Sequence, residues 1–257
     1  MPPVGHRWQF NAVVGLSTGD DAQLTHEAGG ELWVRTDRLV RGAGYGAALR
    51  QSRRELARTG AILRLRRRGR YHIHASGVVS PTGRVVLFTG VSGSGKSTMA
   101  YALARRGWRL LGDDSVIIEP SAIDAGVTAY AWRDTLLVSA ALAEAFPELG
   151  ADADARAIPG DPRRRVPVDV AVARSGPVAA VICLAQGPDD SLISIPPIQA
   201  LVELVRQSAW VLIPDTAARP HLDALRTLVT RVPTLQLTHS PRQLHEIEAT
   251  LAQFSTV

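Results

Sequence analysis

From Tyr71 onward, short apolar runs alternate with stretches rich in helix-forming residues. Short apolar runs are typical of buried β-strands. The predicted strands are Tyr71–Val79, Arg84–Thr89, Trp108–Leu111, Val116–Glu119, Val178–Ala185 and Thr234–Leu237. The predicted helices are Thr98–Arg106, Leu136–Phe146, Pro196–Val205, Pro220–Val232 and Pro241–Phe254, and a polar loop is predicted over Asp152–Pro167. Strands that alternate with helices indicate an α/β core.

The first 70 residues follow a different pattern. Trp8–Leu16 and Glu31–Val34 are short apolar or alternating stretches separated by Gly and Asp turns, which predicts small strands. Arg38–Thr59 is rich in Arg, Ala and Leu and is compatible with a helix. The chain is therefore predicted to have a small β-rich N-terminal subdomain over residues 1–70 and a main domain over residues 71–257.

Composition narrows the class of protein. No apolar run is long enough to span a bilayer, and the N-terminus lacks the basic and apolar segments of a signal peptide. The one cysteine, Cys183, lies in an apolar run and is expected to be a small core residue in a reducing, cytoplasmic environment. A formal net charge of +5 favours anionic partners.

Among the 29 basic residues, 28 are arginine, and the single lysine is Lys96. It stands in the segment GVSGSGKS, residues 90–97, which is a complete G-x-x-x-x-G-K-[ST] phosphate-loop motif between a predicted strand and a predicted helix. A compact ammonium reaches between the β- and γ-phosphates where a planar guanidinium does not fit. The residues expected to bind a nucleotide are Gly90, Ser92, Gly93, Ser94, Gly95, Lys96, Ser97 and Thr98, and Ser97 is also an expected Mg²⁺ ligand.

An acid pair and a histidine flank this loop in the sequence. Asp113 and Asp114 follow the strand after the loop's helix, and adjacent strand side chains point to opposite faces. One acid is therefore expected to hold the metal while the other acts as the base; Asp114 is a candidate metal ligand beside Ser97, although the sequence leaves the two roles open. His74, on the strand before the loop, is a candidate for charge stabilisation or proton transfer at the γ-phosphate. A metal site formed with His72 is not favoured, because no further ligand follows at useful spacing.

Three arginines complete the candidate site. Arg133 lies in the segment Ala131-Trp-Arg-Asp134 and is a candidate phosphate contact, as its resemblance to the family described below implies. Arg163 and Arg165 lie in the predicted Pro- and Asp-rich loop, where they are candidates to bind ATP or an acidic substrate, since guanidinium groups pair with phosphate and carboxylate. The alternative is that all three are solvated surface residues. The basic run Arg64–Arg70 lacks interleaved aromatic residues, so nucleic-acid binding is not predicted.

Residues 72–120 resemble the catalytic domain of the HPr kinase/phosphorylase family. The resemblance rests on His74-Ala-Ser-Gly77, on the phosphate loop, and on the run from Arg105 through the acid pair. It implies a phosphate-loop core of the HPr kinase/phosphoenolpyruvate carboxykinase type that uses ATP and Mg²⁺ to phosphorylate a serine of a protein or peptide. In that resemblance His74 is an active-site histidine, and Asp113 and Asp114 supply the base and a metal contact. The family is hexameric, so the resemblance implies that this chain also forms a homo-oligomer. The sequence itself leaves the oligomeric state open.

The chain also departs from that family. Val91 stands where the family has an acid, so the sequence leaves open whether the reaction is reversed by phosphorolysis, and the long N-terminal domain of the bacterial regulators is missing. With these departures, the chain is more similar to the short HPr-kinase-like enzymes that are found with ribosomally made peptides, such as lasso-peptide precursor kinases. Two alternatives stay open, namely a small-molecule kinase and a nucleotide-sensing module without catalysis.

Overall fold

The computed structural model describes residues 5–35, 37–121, 126–133, 135–150, 156–158, 161–188 and 191–239. It is a mixed α/β structure with several sheets, divided into two compact units. Within the described ranges, the first unit comprises residues 5–72 with 209–224, and the second comprises residues 73–208 with 225–239. The predicted boundary at residue 70, between an N-terminal subdomain and a main domain, stays a prediction. Two compact units do not by themselves show which segments fold independently. The predicted helix Pro241–Phe254 lies outside the described residues.

The first unit is built on an antiparallel sheet in which each strand pairs with the next. Its strands are β1 (His6–Phe10), β2 (Val13–Thr18), β3 (Asp21–His26), β4 (Glu31–Val34) and β5 (Leu39–Arg41). Alternate residues such as Val13, Leu24 and Val34 are buried, as expected for a sheet with one covered face.

Helix α1 (Arg50–Arg66) covers that face. Leu56, Ile62 and Leu63 are buried on it, and Gly60 lies so close to the sheet that a Cβ there would be 2.9 Å from Leu32 Cδ2. The helix begins twelve residues after the start of the segment Arg38–Thr59 that the sequence marked as compatible with a helix, and it ends seven residues beyond that segment.

A buried ion pair ties residues 209–224 into the first unit. Arg66 Nη1 donates to Asp215 Oδ1 at 2.5 Å, and Arg66 Nε donates to His221 Nδ1 at 3.2 Å. Tyr71 stacks on the His221 ring with centroids 4.5 Å apart. Because its partners are about 150 positions away, the sequence pattern did not indicate that Arg66 is buried.

The chain passes into the second unit within strand β6 (Tyr71–Ile73). The second unit contains a large mixed sheet whose strands pair in the order β10-β11-β15-β8-β7-β9, with β17 on β15 and β16 on β17. These strands are β7 (Ser76–Val79), β8 (Val85–Thr89), β9 (Arg109–Gly112), β10 (Val116–Pro120), β11 (Val127–Ala131), β15 (Ser175–Gln186), β16 (Ser191–Ser194) and β17 (Thr234–His239). The long strand β15 runs parallel to both β8 and β17, so the carboxyl ends of the three strands meet at one edge.

Helix α2 (Lys96–Ala104) packs against β7, β8 and β9. Two further helices are α5 (Pro197–Gln207), in the second unit, and α6 (Ala218–Arg231), whose residues are divided between the two units. The core of the second unit lies between α2 and the sheet, where Phe88, Met99, Leu110 and Ile182 are buried together. Among the described residues, no helix is both long enough and apolar enough to cross a membrane.

A second, three-stranded sheet corrects two predictions. It consists of β12 (Thr135–Val138), β13 (Arg156–Ile158) and β14 (Asp161–Pro167), in the order β12-β14-β13. The predicted helix Leu136–Phe146 is wrong at its start, because residues 135–138 pair with β14 and the helix α3 (Ala140–Ala145) begins only after the Ser139 cap. A further short helix is α4 (Pro147–Gly150). The predicted loop over Asp152–Pro167 is also wrong for its described residues, since pairing with β12 outweighs the loop-like composition.

Candidate functional site

The glycine-rich segment 90–95 connects β8 to the first residue of α2. Gly90 has a φ of 137°, a conformation that side-chain-bearing residues avoid. A Cβ at this position would also lie 2.6 Å from the Leu184 carbonyl oxygen. Only glycine therefore allows β8 to turn into the loop while β15 runs beside it. The loop leads directly into the first turn of α2, whose N–H groups have no acceptor within the helix.

Two side chains that the sequence did not single out hold the loop from outside. Gln186 Nε2 donates to the Gly93 carbonyl at 2.9 Å, and the His239 ring nitrogen Nε2 donates to the Ser94 carbonyl at 2.9 Å. Both residues lie at the carboxyl ends of β15 and β17. The signal that could have found them is their position, because predicted parallel strands end at the same edge of a sheet.

Lys96 lies inside the loop. Its ammonium donates to the carbonyl oxygens of Gly90 and Val91 at 2.8 and 3.0 Å, and the residue is only 7% exposed. Burial lowers the pKa of Lys96, while Asp114 and Asp113 oppose that shift. Beside it, Ser94 Oγ is buried and has no hydrogen-bond partner among the described residues. The loop thus encloses a cation and an unused hydroxyl, both of which suit phosphate oxygens.

Asp113 is the buried member of the acid pair. Its Oδ1 accepts hydrogen bonds from the hydroxyls of Ser76 at 2.6 Å and Ser97 at 2.7 Å, and its Oδ2 accepts one from the Leu137 amide at 2.7 Å. Burial raises the pKa of Asp113, and these three donors act against that shift. The Asp113 carboxylate therefore accepts hydrogen bonds from three elements, β7, α2 and β12, and it follows directly after the end of a fourth, β9.

Asp114 points away from that cluster, toward two basic groups. The His74 Nδ1 lies 3.4 Å from Asp114 Oδ1 and 3.1 Å from the Asp114 carbonyl oxygen, and Arg163 Nη1 lies 3.6 Å from the same carboxylate. Arg163 is itself held by Asp161, which accepts from its Nε at 2.9 Å and from its Nη2 at 2.7 Å. Asp114 adopts a φ of 62°, a left-handed conformation that Asp tolerates better than most residues.

The surroundings of His74 favour the neutral form of its ring. Burial lowers its pKa, and the attraction of Asp114 opposes the shift without reversing it. A neutral imidazole that donates from Nδ1 to Asp114 leaves Nε2 as an acceptor. This ring can therefore accept a proton or a hydrogen bond beside the phosphate loop.

The structure thus brings His74, Lys96, Ser97, Asp113, Asp114 and Arg163 into one connected cluster. Thr98 is half-buried in the first turn of α2, and Ser92 is exposed at the loop tip. Arg165 instead donates to Thr135 Oγ1 at 3.2 Å, and the Arg133 carbonyl lies near Gly112, 3.8 Å from where a Cβ on that glycine would be. The described part of the chain contains no group of three or more His, Cys, Asp or Glu side chains that could hold a metal ion by themselves.

Comparison with known proteins gives limited information. The sequence matches no protein-family model and no curated protein. Among the solved structures similar to the chain is that of the Hpr(Ser) kinase/phosphatase from Coxiella burnetii, with 16% sequence identity, a TM-score of 0.35, and coverage of 71% of this chain and 93% of that chain. A TM-score below 0.5 does not establish a common fold, so the chain's own residues carry the functional assignment.

Proposed function

We propose that this protein is an ATP- and Mg²⁺-dependent kinase that phosphorylates a serine hydroxyl of a peptide or protein, with a phosphate-loop core of the HPr-kinase type. One observation carries the proposal. The hydroxyl of Ser97, in the first turn of the loop's helix, donates to the Asp113 carboxylate at 2.7 Å. This contact joins the phosphate loop to the acid pair and leaves Asp114 free to serve a different role at the same site.

The loop's own groups fit nucleotide phosphates. Lys96 exchanges two carbonyl oxygens for phosphate oxygens when a nucleotide binds, and the α2 N-terminus supplies N–H donors. Ser94 Oγ gains the partner that it lacks among the described residues. Arg163, at the far side of Asp114, places a second cation beside the position of the γ-phosphate.

The oxygen donors of Ser97 and Asp113 fit Mg²⁺, which prefers one or two protein oxygens and several waters. Because the Ser97 hydroxyl donates its hydrogen to Asp113, its lone pairs remain available to a cation. When bound, Mg²⁺ neutralises charge on the β- and γ-phosphates. We therefore place Asp113 on the metal side of the site and assign the base to Asp114, whereas the sequence left the two roles open and named Asp114 with Ser97 as a metal contact.

Asp114 is positioned to accept a proton from the acceptor hydroxyl. Its carboxylate is partly exposed, and His74 and Arg163 hold it from two sides. Arg163 keeps a positive charge next to the carboxylate, and the neutral His74 can take up the proton or hydrogen-bond a phosphate oxygen. The hydroxyl could belong to a ribosomally made precursor of the lasso type, which is the acceptor that the sequence resemblance suggests.

Transfer of label from γ-labelled ATP to a panel of serine peptides tests the proposal. We expect Lys96→Ala to abolish labelling and to weaken ATP binding. We expect Asp114→Asn to keep ATP binding but to slow transfer by about 10²- to 10⁴-fold, the usual contribution of a general base. Arg109→Gln, a change at an exposed strand residue, serves as the control that retains wild-type labelling.

Each alternative has its own outcome in this assay. Equal labelling by the wild type and Lys96→Ala would refute the phosphate-loop assignment. Transfer to hydroxyl metabolites but to no peptide would indicate a small-molecule kinase. Tight ATP binding without turnover on any acceptor, unchanged in Asp114→Asn, would indicate a nucleotide-sensing module.

A further inference from the structure

Strand β17 ends in a buried histidine on the core side of the sheet. Leu237 belongs to the apolar core of the second unit and Leu235 packs against it, and His239 is the next residue on that face of the strand. His239 is only 5% exposed. Burial of an imidazole has a desolvation cost that an aliphatic side chain does not have, so packing alone does not account for a histidine at this position.

A second polar side chain stands beside His239 at the same edge of the sheet. Gln186 on β15 pairs in register with His239 on β17, so both side chains point to the same face. The His239 Nε2 donates to the Ser94 carbonyl at 2.9 Å, and the Gln186 Nε2 donates to the Gly93 carbonyl at 2.9 Å. Each of these two neighbours therefore holds one of two consecutive peptide groups of the phosphate loop.

The hydrogen bond from His239 fixes the direction of an N–H group. In a planar trans peptide the C=O and N–H groups point in opposite directions, so the N–H of Gly95 points away from His239. This N–H has no hydrogen-bond acceptor among the described residues. The N–H of the peptide that Gln186 holds already donates to the Val91 carbonyl at 3.1 Å. The Gly95 N–H, which directly precedes Lys96 in the chain, is therefore the donor that suits a phosphate oxygen.

The peptide between Ser94 and Gly95 has a second orientation open to it. Gly95 adopts a φ of 96°, in the left-handed region that favours glycine. A flip of this peptide would bring Gly95 to an ordinary negative φ and would direct the Ser94 carbonyl oxygen to the side where the N–H now points. A carbonyl oxygen there would repel a phosphate. Since backbone sterics at a glycine permit both orientations, the hydrogen bond from His239 selects between them.

We propose that His239 is a positioning residue for nucleotide phosphates. By holding the Ser94 carbonyl, it keeps the Gly95 N–H directed at a phosphate oxygen of ATP or ADP. This role rests on the nucleotide binding that the proposed function assigns to the loop, and it requires neither a serine acceptor nor phosphate transfer. His239 acts through the loop backbone and needs no contact with the nucleotide.

Two amide substitutions that differ in reach test this role. The amide nitrogen in His239→Gln lies as far along the side chain as histidine Nε2 and can donate to Ser94, whereas in His239→Asn it reaches only the position of Nδ1. Both variants lose the ring and keep an amide. By isothermal titration calorimetry we expect the Kd for MgADP to stay within about threefold of the wild type in His239→Gln and to rise about tenfold in His239→Asn. Thermal unfolding shows whether each variant is folded.

The amide proton of Gly95 gives a readout that a merely structural role would not change. Labelling with ¹³C at serine carbonyls and ¹⁵N at glycine selects the four Ser-Gly pairs of the chain in an NMR spectrum. Ser94→Ala removes one of these signals and so assigns Gly95. At saturating MgADP we expect the Gly95 proton to move downfield in the wild type and in His239→Gln, because it bonds to phosphate, and to move little in His239→Asn.

The outcomes distinguish this role from the proposed function. Equal Kd values for MgADP in His239→Asn and His239→Gln, whether both are as tight as the wild type or both are weaker, would refute the role of the donor and leave the kinase standing. The expected difference, together with no transfer to any acceptor, would keep the role and refute the kinase. A Gly95 proton that ignores MgADP in the wild type would overturn the role whichever variants fold. Failure of the wild type to bind MgADP would refute both.

Discussion

The buried acid Asp113 should contribute far more to stability than its neighbour Asp114. Replacing it in Asp113→Ala removes the acceptor of three hydrogen bonds and leaves the Ser76 hydroxyl and the Leu137 amide without that partner. Each unsatisfied buried donor costs about 1–3 kcal/mol, and relief from burying the carboxylate offsets part of this. The expected loss is about 3 kcal/mol in the free energy of unfolding, or about 6–12 °C in Tm for a chain of this size.

Two matched variants show whether the three hydrogen bonds are the cause. Asp113→Asn should stay within about 1 kcal/mol of the wild type, because a rotated amide can accept from Leu137 and donate to both serine oxygens. Asp114→Asn should also lose less than about 1 kcal/mol, since its partners are partly exposed and lie 3.4 and 3.6 Å away. Guanidinium unfolding with linear extrapolation gives the comparison. If Asp113→Ala and Asp114→Asn lose equal stability, the reasoning from burial and donor count is wrong.

Two further predictions concern the loop and the first unit. Gly90→Ala should lower Tm by several degrees more than Gly83→Ala, because both glycines have positive φ but only Gly90 has a carbonyl oxygen 2.6 Å from the new Cβ; equal shifts in differential scanning fluorimetry would argue against this. Burial, reinforced by Arg66, lowers the pKa of His221 from 6.5 to about 3, so the unfolded chain takes up a proton below pH 6.5 and the folded one does not. Stability should therefore fall as the pH drops, by about 2 kcal/mol at pH 5 from this residue. His221→Phe should show a correspondingly smaller difference between pH 7 and pH 5, and the same pH dependence in both proteins would exclude this residue as the cause.

The sequence identified the parts of the site that local pattern specifies. The loop and the position of the acid pair follow from residues adjacent in the chain, whereas the predicted strand Tyr71–Val79 is broken at His74, which lies between β6 and β7. The different environments of Asp113 and Asp114 cannot be predicted from the adjacent residues, because β9 ends at Gly112 and Asp114 then adopts the left-handed conformation. Alternation along a strand predicts opposite directions but not which side is buried.

The contacts made by distant segments were harder to predict. The sequence named Arg163 as a candidate site residue but placed it in a loop, whereas it lies in β14 with its Nη1 3.6 Å from Asp114. Gln186 and His239 reach the loop because parallel strands end at a common edge, a relation that local composition does not contain. The buried Arg66 likewise resembles its exposed neighbours until Asp215 is placed beside it.

The contacts of the phosphate loop also set an order of events during folding. The three groups that shape it from outside, the Leu184 carbonyl, Gln186 and His239, lie about 90 to 145 positions further along the chain. Pairings between such distant segments form late, because a long stretch of chain must first be closed. A nascent chain that has emerged only as far as residue 150 carries the complete motif without these supports. We expect nucleotide binding to begin only once β15 and β17 have docked.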